Sequence, residues 1–410
     1  LLKLFADVFN LHLQFSVMIK KKNSNVYKKN NVTEYLIVDD GDGMGIEKLE
    51  NALDLGSSDY YYAENTLSKF GLGLKSASFA QGKRLEVISG NGVEIHKESV
   101  DLDDIEEEYF SVEDPLSSED ELLVNKYFVG GKRGTIIRIS KIYTNNHPSV
   151  KSTISDLREK IGVIYYYFLI GNVVRIYVDN EELQPFDPLF VDEAGENNLD
   201  ENEWDGKSVQ WLMRPETLML DAEAKIKGQV EITMLPHPQV RKDEGITDAE
   251  IRNKYHINAN NYGFYVYRNG RLINWADKLG VIPFDQDFYA FRGRINIHDD
   301  ADDAFNIDAS KSHISLSEEA KNSLDDFISD YRRKCKTAWK KAYDKYKAKM
   351  SENSNDISND LSMDSEDYLV ILENDDAPGF NEEYDRRNDA IVEENREKEK
   401  KRKESNCFEN

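Results

Sequence analysis

The decapeptide Tyr35-Leu-Ile-Val-Asp-Asp-Gly-Asp-Gly-Met44 constrains the fold of this chain more than any other segment. Tyr35 to Val38 is a short continuous apolar run, the pattern of a buried strand. Asp39 and Asp40 follow where that strand must end. Gly41 and Gly43 then let the backbone turn sharply, or lie flat against a ligand with no Cβ in the way. About thirty residues later a second glycine cluster, Ser68-Lys-Phe-Gly-Leu-Gly-Leu-Lys-Ser-Ala-Ser78, runs straight into a helix-compatible segment. Backbone N–H groups at a helix N-terminus beside a lysine make a phosphate cradle. A carboxylate-and-glycine strand end followed by such a cradle points to a nucleotide site.

Other nucleotide motifs fit worse. The stretch Gly71 to Ser76 lacks the four-residue gap and the Gly-Lys-Ser/Thr ending of a P-loop. A dinucleotide fingerprint needs G-x-G-x-x-G after a strand, and Gly71-x-Gly73 is followed by Ser76 where the third glycine belongs.

The pair of glycine motifs resembles the Bergerat-type (GHKL) ATPases, the superfamily of gyrase B, Hsp90, histidine kinases and MutL. Its D-x-G-x-G motif corresponds to Asp39, Gly41 and Gly43, and its G-x-G at the hinge of a mobile lid to Gly71 and Gly73. A Gly-Thr pair opening a late strand corresponds to Gly134-Thr135 in Lys132-Arg-Gly-Thr-Ile-Ile-Arg-Ile139. Each motif alone reads as a turn; all three in order, each beside an apolar strand or helix pattern, do not. Within the superfamily the resemblance is nearest to MORC-like and related prokaryotic ATPases, on the segment Phe70-Gly-Leu-Gly-Leu-Lys-Ser76.

A chain of 410 residues has room for two or three domains, with cores large enough to fold without staples. Its two cysteines, Cys335 and Cys407, have no metal-type spacing, so neither disulfides nor zinc are indicated. No apolar run is long enough to span a membrane, and Leu1-Leu-Lys-Leu-Phe-Ala6 is too short for a signal sequence. A cytoplasmic protein with no membrane partner is expected. The missing initial methionine and the charged ending read as a fragment at one or both ends.

A net charge of −25 argues against a whole-surface nucleic-acid binder. The charge is uneven, however: Asp101 to Glu121 is strongly acidic, whereas Arg332 to Lys349 carries nine basic residues against Asp344 alone. A solvated helix face is the favoured reading of that basic run, and a phosphate-backbone contact the alternative.

The expected architecture is α+β: a two-layer Bergerat sandwich over residues 1–168, an S5-like α/β transducer over 169–350, and a charged, partly disordered tail over 351–410. Strands are expected at Phe15 to Ile19, Tyr35 to Val38, Leu85 to Ser89 and Gly134 to Ser140. A short helix is expected at Glu47 to Leu55, the lid at Ser57 to Ser68, and a longer helix at Ile154 to Leu169. Val173 to Val178 would start the second half, followed by strands at Lys225 to Met234 and Phe288 to Ile297. Between them Asn269-Gly270 marks a hairpin turn. Leu316 to Ala348 reads as helix and Ser351 to Asp367 as linker. Tyr267-Arg-Asn-Gly-Arg-Leu-Ile273 and Asp308-Ala-Ser-Lys-Ser312 are similar to transducer segments that follow the ATPase in MutL, gyrase B, Hsp90 and MORC proteins.

The resemblance implies ATP with Mg²⁺ and assigns roles residue by residue. Asp39 would accept a hydrogen bond from the adenine amino group, selecting adenine because a base lacking that amine leaves the carboxylate unmatched. Gly41 and Gly43 would let the base approach the backbone, with Met44 packed against it. N–H groups of Gly71, Leu72, Gly73 and Leu74 would hold phosphates, with Lys75 as a nearby charge or else a solvated helix lysine. Thr135 would hydrogen-bond toward the adenine pocket, and Lys311 would reach the γ-phosphate from the second domain. The superfamily also carries on its first helix a glutamate base, and an asparagine for Mg²⁺ one turn later. Here the first glutamate is Glu34, and Leu1 to Phe15 offers only Asp7 and Asn10. Asn10 is the metal-side candidate and Asp7 a poor stand-in for the base, so the first helix is degenerate or truncated.

The functional expectation is an ATP-gated switch, forming an ATP-dependent homodimer that clamps DNA or a protein client. A non-hydrolysing nucleotide-dependent scaffold is the alternative. A histidine kinase fits less well, because no helix bearing a phospho-acceptor histidine precedes the nucleotide motifs.

Overall fold

The alternation of Tyr35, Leu36, Ile37 and Val38 sets the first layer of the fold. In this computed structural model they lie in β2 (Val32–Asp39), which pairs antiparallel with β1 (Gln14–Lys21). Tyr35 and Ile37 enter one apolar cluster, Leu36 and Val38 another on the opposite face. Successive strand residues point to opposite faces, and both faces of β2 are covered, so the whole run is apolar.

The structure describes residues 14–21 (backbone), 32–54, 73–104, 111–128, 133–143, 149–196, 198–223, 225–240, 245–302, 304–306 and 314–354. The chain divides into two compact units, 1–355 and 356–410, and all described residues belong to the first. Asp7, Asn10, Gly71, Leu72 and Lys311, the lid at 57–68, and the tail beyond 354 lie outside the described residues.

The first sheet also contains β3 (Gly82–Asn91), β4 (Ile95–Asp101), β5 (Val112–Glu113), β6 (Arg133–Ile142), β7 (Arg175–Val178) and β8 (Glu181–Glu182). Its order is β5-β4-β3-β6-β2-β1-β7-β8. All its pairings are antiparallel except β1 with β7. The segment expected to open the second half therefore completes the first sheet. One face is covered by α1 (Ile46–Leu53), α2 (Gly73–Phe79), α4 (Val150–Ile164) and α5 (Tyr166–Ile170), through Leu49, Leu53, Ala77, Leu157, Ile161 and Leu169. The expected single helix over Ile154 to Leu169 breaks at Tyr165 (φ −107°, ψ 23°), which is fully buried.

The other face is covered in part by α3 (Ser118–Tyr127), whose Val124 packs on Leu36, Val38 and Ile136. Ser117 and Asp120 form a capping box. The buried Asp120 carboxylate also meets Lys97 at 2.9 Å and Arg138 at 2.8 Å. Burial pushes the Asp120 carboxyl up, but hydrogen bonds from Lys97 and Ser117 and the Arg138 charge outweigh it and hold it below the usual range.

A second sheet, in the order β12-β11-β13-β10-β9, comprises β9 (Gln210–Asp221), β10 (Ile226–Met234), β11 (Gly263–Arg268), β12 (Arg271–Asp277) and β13 (Phe291–Ile297). Asn269 (φ 49°) and Gly270 (φ 80°) form the two-residue turn between β11 and β12, as a primed hairpin turn requires. After β10 comes α6 (Asp248–Tyr255), and α7 (Glu318–Ser354) lies against the sheet. Ala320, Leu324, Ile328, Cys335, Ala338, Trp339 and Ala342 recur at helical spacing on its buried face. Buried His237 stacks on Trp339 and Tyr343, and burial pushes its pKa down to about 3, so it is neutral.

The basic run on α7 is engaged within its own domain. Lys336 pairs with Asp285 at 2.6 Å and Lys340 with Asp287 at 3.1 Å, while Lys341 and Lys345 donate to Asn202. The two sheets meet at the end of α4 and at α5. Tyr267 donates its hydroxyl to the Val163 carbonyl, and Asn296 donates to the Tyr167 hydroxyl, each at 2.8 Å. Arg294 pairs with Glu231 at 2.6 Å and Asp187 at 3.1 Å, and lies over the Tyr166 and Tyr167 rings.

Candidate nucleotide site

Strand register assembles the site. Asp39, at the end of β2, lies opposite Thr135 on β6, and Thr135 lies opposite Ser89 on β3. The residues two positions before or after them, Ile37, Ile137 and Val87, face the cluster that carries α1 and α2. By the two-residue period of a strand, Asp39, Thr135 and Ser89 share that helix-covered face. They form one polar row across three strands in an otherwise apolar layer.

Asp39 is 4% exposed, and its Oδ1 accepts the Gly41 N–H at 2.9 Å. Burial pushes its carboxyl up to about 7; hydrogen bonds from Gly41 and Thr135 pull the other way, and the charge of Asp40 adds to the rise. Among the described residues no cation pairs with it. A buried carboxylate at a strand end without a counter-cation is matched to a neutral N–H donor arriving from outside the protein.

Ser89 is fully buried and joins the row to the glycine loop. Its Oγ accepts the Met44 N–H at 2.8 Å and lies 3.2 Å from the Gly134 carbonyl and 3.1 Å from Thr135 Oγ1. With Thr135 donating to Asp39, the Ser89 proton goes to Gly134 or to Thr135. Ser89 thereby ties Met44 on the loop to the Gly134-Thr135 pair behind the carboxylate. Sequence reading had given it only a strand-end role; the signal that could have found it is a lone hydroxyl at the same phase as the buried Leu85 and Val87.

Two glycines are obligatory here. Gly43 has φ +67°, and a Cβ on it would sit 1.8 Å from the Gly90 carbonyl oxygen. Gly134 has φ +134°, and its Cβ would sit 2.5 Å from the Asp39 carbonyl oxygen and 3.0 Å from the Phe128 ring. Both hold backbones closer together than any side chain permits. Met44 and Leu74 are half-buried and pack on the same apolar cluster.

Lys75 is 3% exposed, and its Nζ donates to the Ala52 carbonyl at 3.1 Å and to the Asp54 carbonyl. It is therefore not a solvated helix lysine: its ammonium caps the C-terminal end of α1, where cations are favoured. The structure thus brings together Asp39, Gly41, Gly43, Met44 and Thr135, places Gly73, Leu74 and Lys75 on α2 of the same layer, and adds Ser89.

The arrangement gathers a buried carboxylate, two buried hydroxyls and a glycine loop at one end of the first sheet. Residues 16–127 match the family model described as histidine kinase-, DNA gyrase B- and HSP90-like ATPase. The chain carries a GHKL-type ATPase domain over these residues, and that family's chemistry implies ATP binding, usually with Mg²⁺. No curated protein matches the chain in a sequence comparison. The matched span holds Asp39, the glycine loop, Ser89 and α2, while Thr135 on β6 lies beyond it. Among the described residues no helix is long and apolar enough to cross a membrane.

The protein's residues fit adenine. An exocyclic amine would add a further neutral donor to the buried Asp39 carboxyl, and Gly41 and Gly43 would present backbone without Cβ atoms to a flat ring. When bound, the triphosphate would supply the free energy of its terminal phosphate, and Asp39, Gly41, Gly43, Met44 and Thr135 are the described residues that would hold its base.

Proposed function

We propose that the protein is an ATP-dependent conformational switch of the GHKL type, most similar to MORC-like proteins. The observation that carries this reading is the buried Asp39 carboxylate, with no cation beside it among the described residues, in its row with Thr135 and Ser89. Asp39 selects adenine, Gly41, Gly43 and Met44 line the base, and backbone N–H groups of Gly71, Leu72, Gly73 and Leu74 take the phosphates, with Lys75 a nearby charge seated on the end of α1. Asn10 is the candidate on the Mg²⁺ side, Asp7 a poor stand-in for the general base, and Lys311 the candidate γ-phosphate contact. Residues 1–168, with β7 and β8 of the same sheet, form the ATP-binding domain, the residues that follow to 350 an S5-like transducer, and 351–410 a charged tail. In this reading ATP binding draws the two domains together, favours a homodimer, and closes a clamp on DNA or on a protein client in the cytoplasm.

A second reading is a non-hydrolysing, nucleotide-dependent scaffold for protein interaction. Steady-state turnover of ATP, with sedimentation of the chain in ATP, ADP and no nucleotide, tests both. Turnover with ATP-dependent dimerisation supports the switch. Binding and dimerisation without turnover support the scaffold. A monomer in every condition contradicts the clamp.

A further inference from the structure

The polar row that carries Asp39 has a fourth member. Asp39 is opposite Thr135, Thr135 is opposite Ser89, and Ser89 is opposite His96 on β4. Residues directly opposite one another in a sheet share a face, so His96 lies on the helix-covered face at the far end of the row. A carboxylate stands at each of its ring nitrogens. His96 Nε2 is 3.3 Å from Glu94 Oε2, and Nδ1 is 3.4 Å from Glu113 Oε1 on β5.

Strand β3 and the turn after it hold three successive residues of the glycine loop. Gly43 leaves no room for a Cβ against the Gly90 carbonyl, and the Met44 N–H donates to Ser89 Oγ. Gly45 is the third: a Cβ there would lie 3.2 Å from Asn91 Nδ2 and 3.3 Å from Glu94 Oε1. Asn91 Oδ1 accepts the Val93 and Glu94 N–H groups at 3.0 and 3.1 Å, which shapes the turn itself. The Glu94 carboxylate thus spans two elements, with Oε1 against the loop and Oε2 against the imidazole. Gly45 is also the N-cap of α1 and brings no side-chain cap, so the helix dipole favours a carboxylate beside it.

We propose that His96 is a positioning residue for the glycine loop: bridging Glu113 to Glu94, it seats Glu94 on Gly45 and holds the loop in the shape that receives the base. This rests on the nucleotide reading of the Asp39 site. The brace works with an imidazolium, because only the doubly protonated ring donates at both nitrogens. Burial pulls the His96 pKa down, but the contacts with Glu94 and Glu113 outweigh it and raise it above the ordinary 6.5. The further charges on this side are acidic: Glu98, opposite Val87, shares the face of His96, and α1 brings Glu50 to Glu98. Strand β3 contributes the neutral Ser89 and Asn91, while Lys97 turns to Asp120 on the opposite face. The brace is therefore complete at low pH and is lost as pH rises through the raised value.

The test is calorimetric titration of the full chain with a non-hydrolysable ATP analogue at pH 6.5 and pH 9, at fixed Mg²⁺ and salt. Wild type, His96→Gln, Glu94→Gln, the double variant and Asp39→Asn are compared after thermal melts establish that each is folded. At pH 6.5 either single substitution should weaken the analogue about threefold to fivefold, and the double variant no further than one of them. At pH 9 wild type has lost the His96 proton, so its advantage over each single variant should shrink to less than about twofold. Ionisation of Asp39 is common to these chains and cancels in the ratio. Glu94 is exposed, so Glu94→Gln carries the comparison if His96→Gln does not fold. An unchanged affinity, a loss that persists at pH 9, or losses that multiply in the double variant would overturn the proposal. If Asp39→Asn abolishes binding while the His96 ratio stays flat with pH, only this inference fails. If wild type does not bind the analogue, the reading of the Asp39 site fails with it.

Discussion

Asp39→Asn should stabilise the unliganded protein, and by an amount that depends on pH. Burial raises the Asp39 carboxyl from 3.8 to about 7 in the folded state, so the folded protein holds this proton more tightly than the unfolded chain does. Stability contributed by the group is therefore present at low pH and is lost as pH rises from about 4 to about 7. The penalty works out at about 2 kcal/mol at pH 5.5 and about 4 kcal/mol at pH 8, at 1.36 kcal/mol per pKa unit. An asparagine keeps the size and one acceptor but never ionises. Urea denaturation of wild type and variant at the two pH values gives the comparison. The variant's advantage over wild type should grow by roughly 2 kcal/mol between pH 5.5 and pH 8, whatever fixed cost the amide brings. A difference that is flat with pH, or that moves in wild type's favour, would refute the argument that Asp39 is held as a strained, uncompensated carboxylate.

Further consequences follow from the same row of residues. ATP should bind the ionised form of Asp39, so affinity measured by titration should fall about tenfold between pH 8 and pH 6 as that fraction drops; a flat profile would remove Asp39 from the base contact. Ser89→Ala leaves the Met44 N–H without its acceptor, which should cost about 1–3 kcal/mol in denaturant unfolding. It should also weaken ATP more than it weakens a triphosphate whose purine lacks the exocyclic amine. Gly43→Ala forces a Cβ onto the Gly90 carbonyl in a positive-φ conformation. It should destabilise by more than about 2 kcal/mol and abolish nucleotide binding, whereas Gly45→Ala, with φ −79°, should be far milder.

The grouping of Asp39 with its glycines was legible in the sequence because it is set locally. Asp39 ends a four-residue apolar run, and Gly43 and Gly134 stand where only glycine can go, so pattern and geometry coincide. Ser89 was hidden because its role depends on β3 lying beside β6, a pairing that brings together residues more than forty positions apart. Non-local pairing also misassigned Arg175–Val178. Its apolar run reads as the start of a new sheet, but its partner is β1, near the other end of the chain segment. The helix break at Tyr165 was invisible to periodicity, since Ile161, Leu157 and Leu169 keep a helical spacing on either side of it. β9 escaped notice because residues 214–217 are polar or proline and face outward, so neither alternation nor a continuous run marks it. For Lys75 the sequence offered charge without context: its ammonium serves the end of α1, a fact set by packing. In each miss a tertiary partner, not local propensity, decided the outcome.

The most direct test of the account is titration of ATP with Mg²⁺ into wild type and Asp39→Asn at pH 8, both shown folded by their denaturation curves. The account predicts saturable binding by wild type and a loss of at least tenfold, about 1.4 kcal/mol or more, in the variant. Wild-type binding that survives Asp39→Asn unchanged, or no binding by wild type at all, would contradict an adenine site built on this carboxylate.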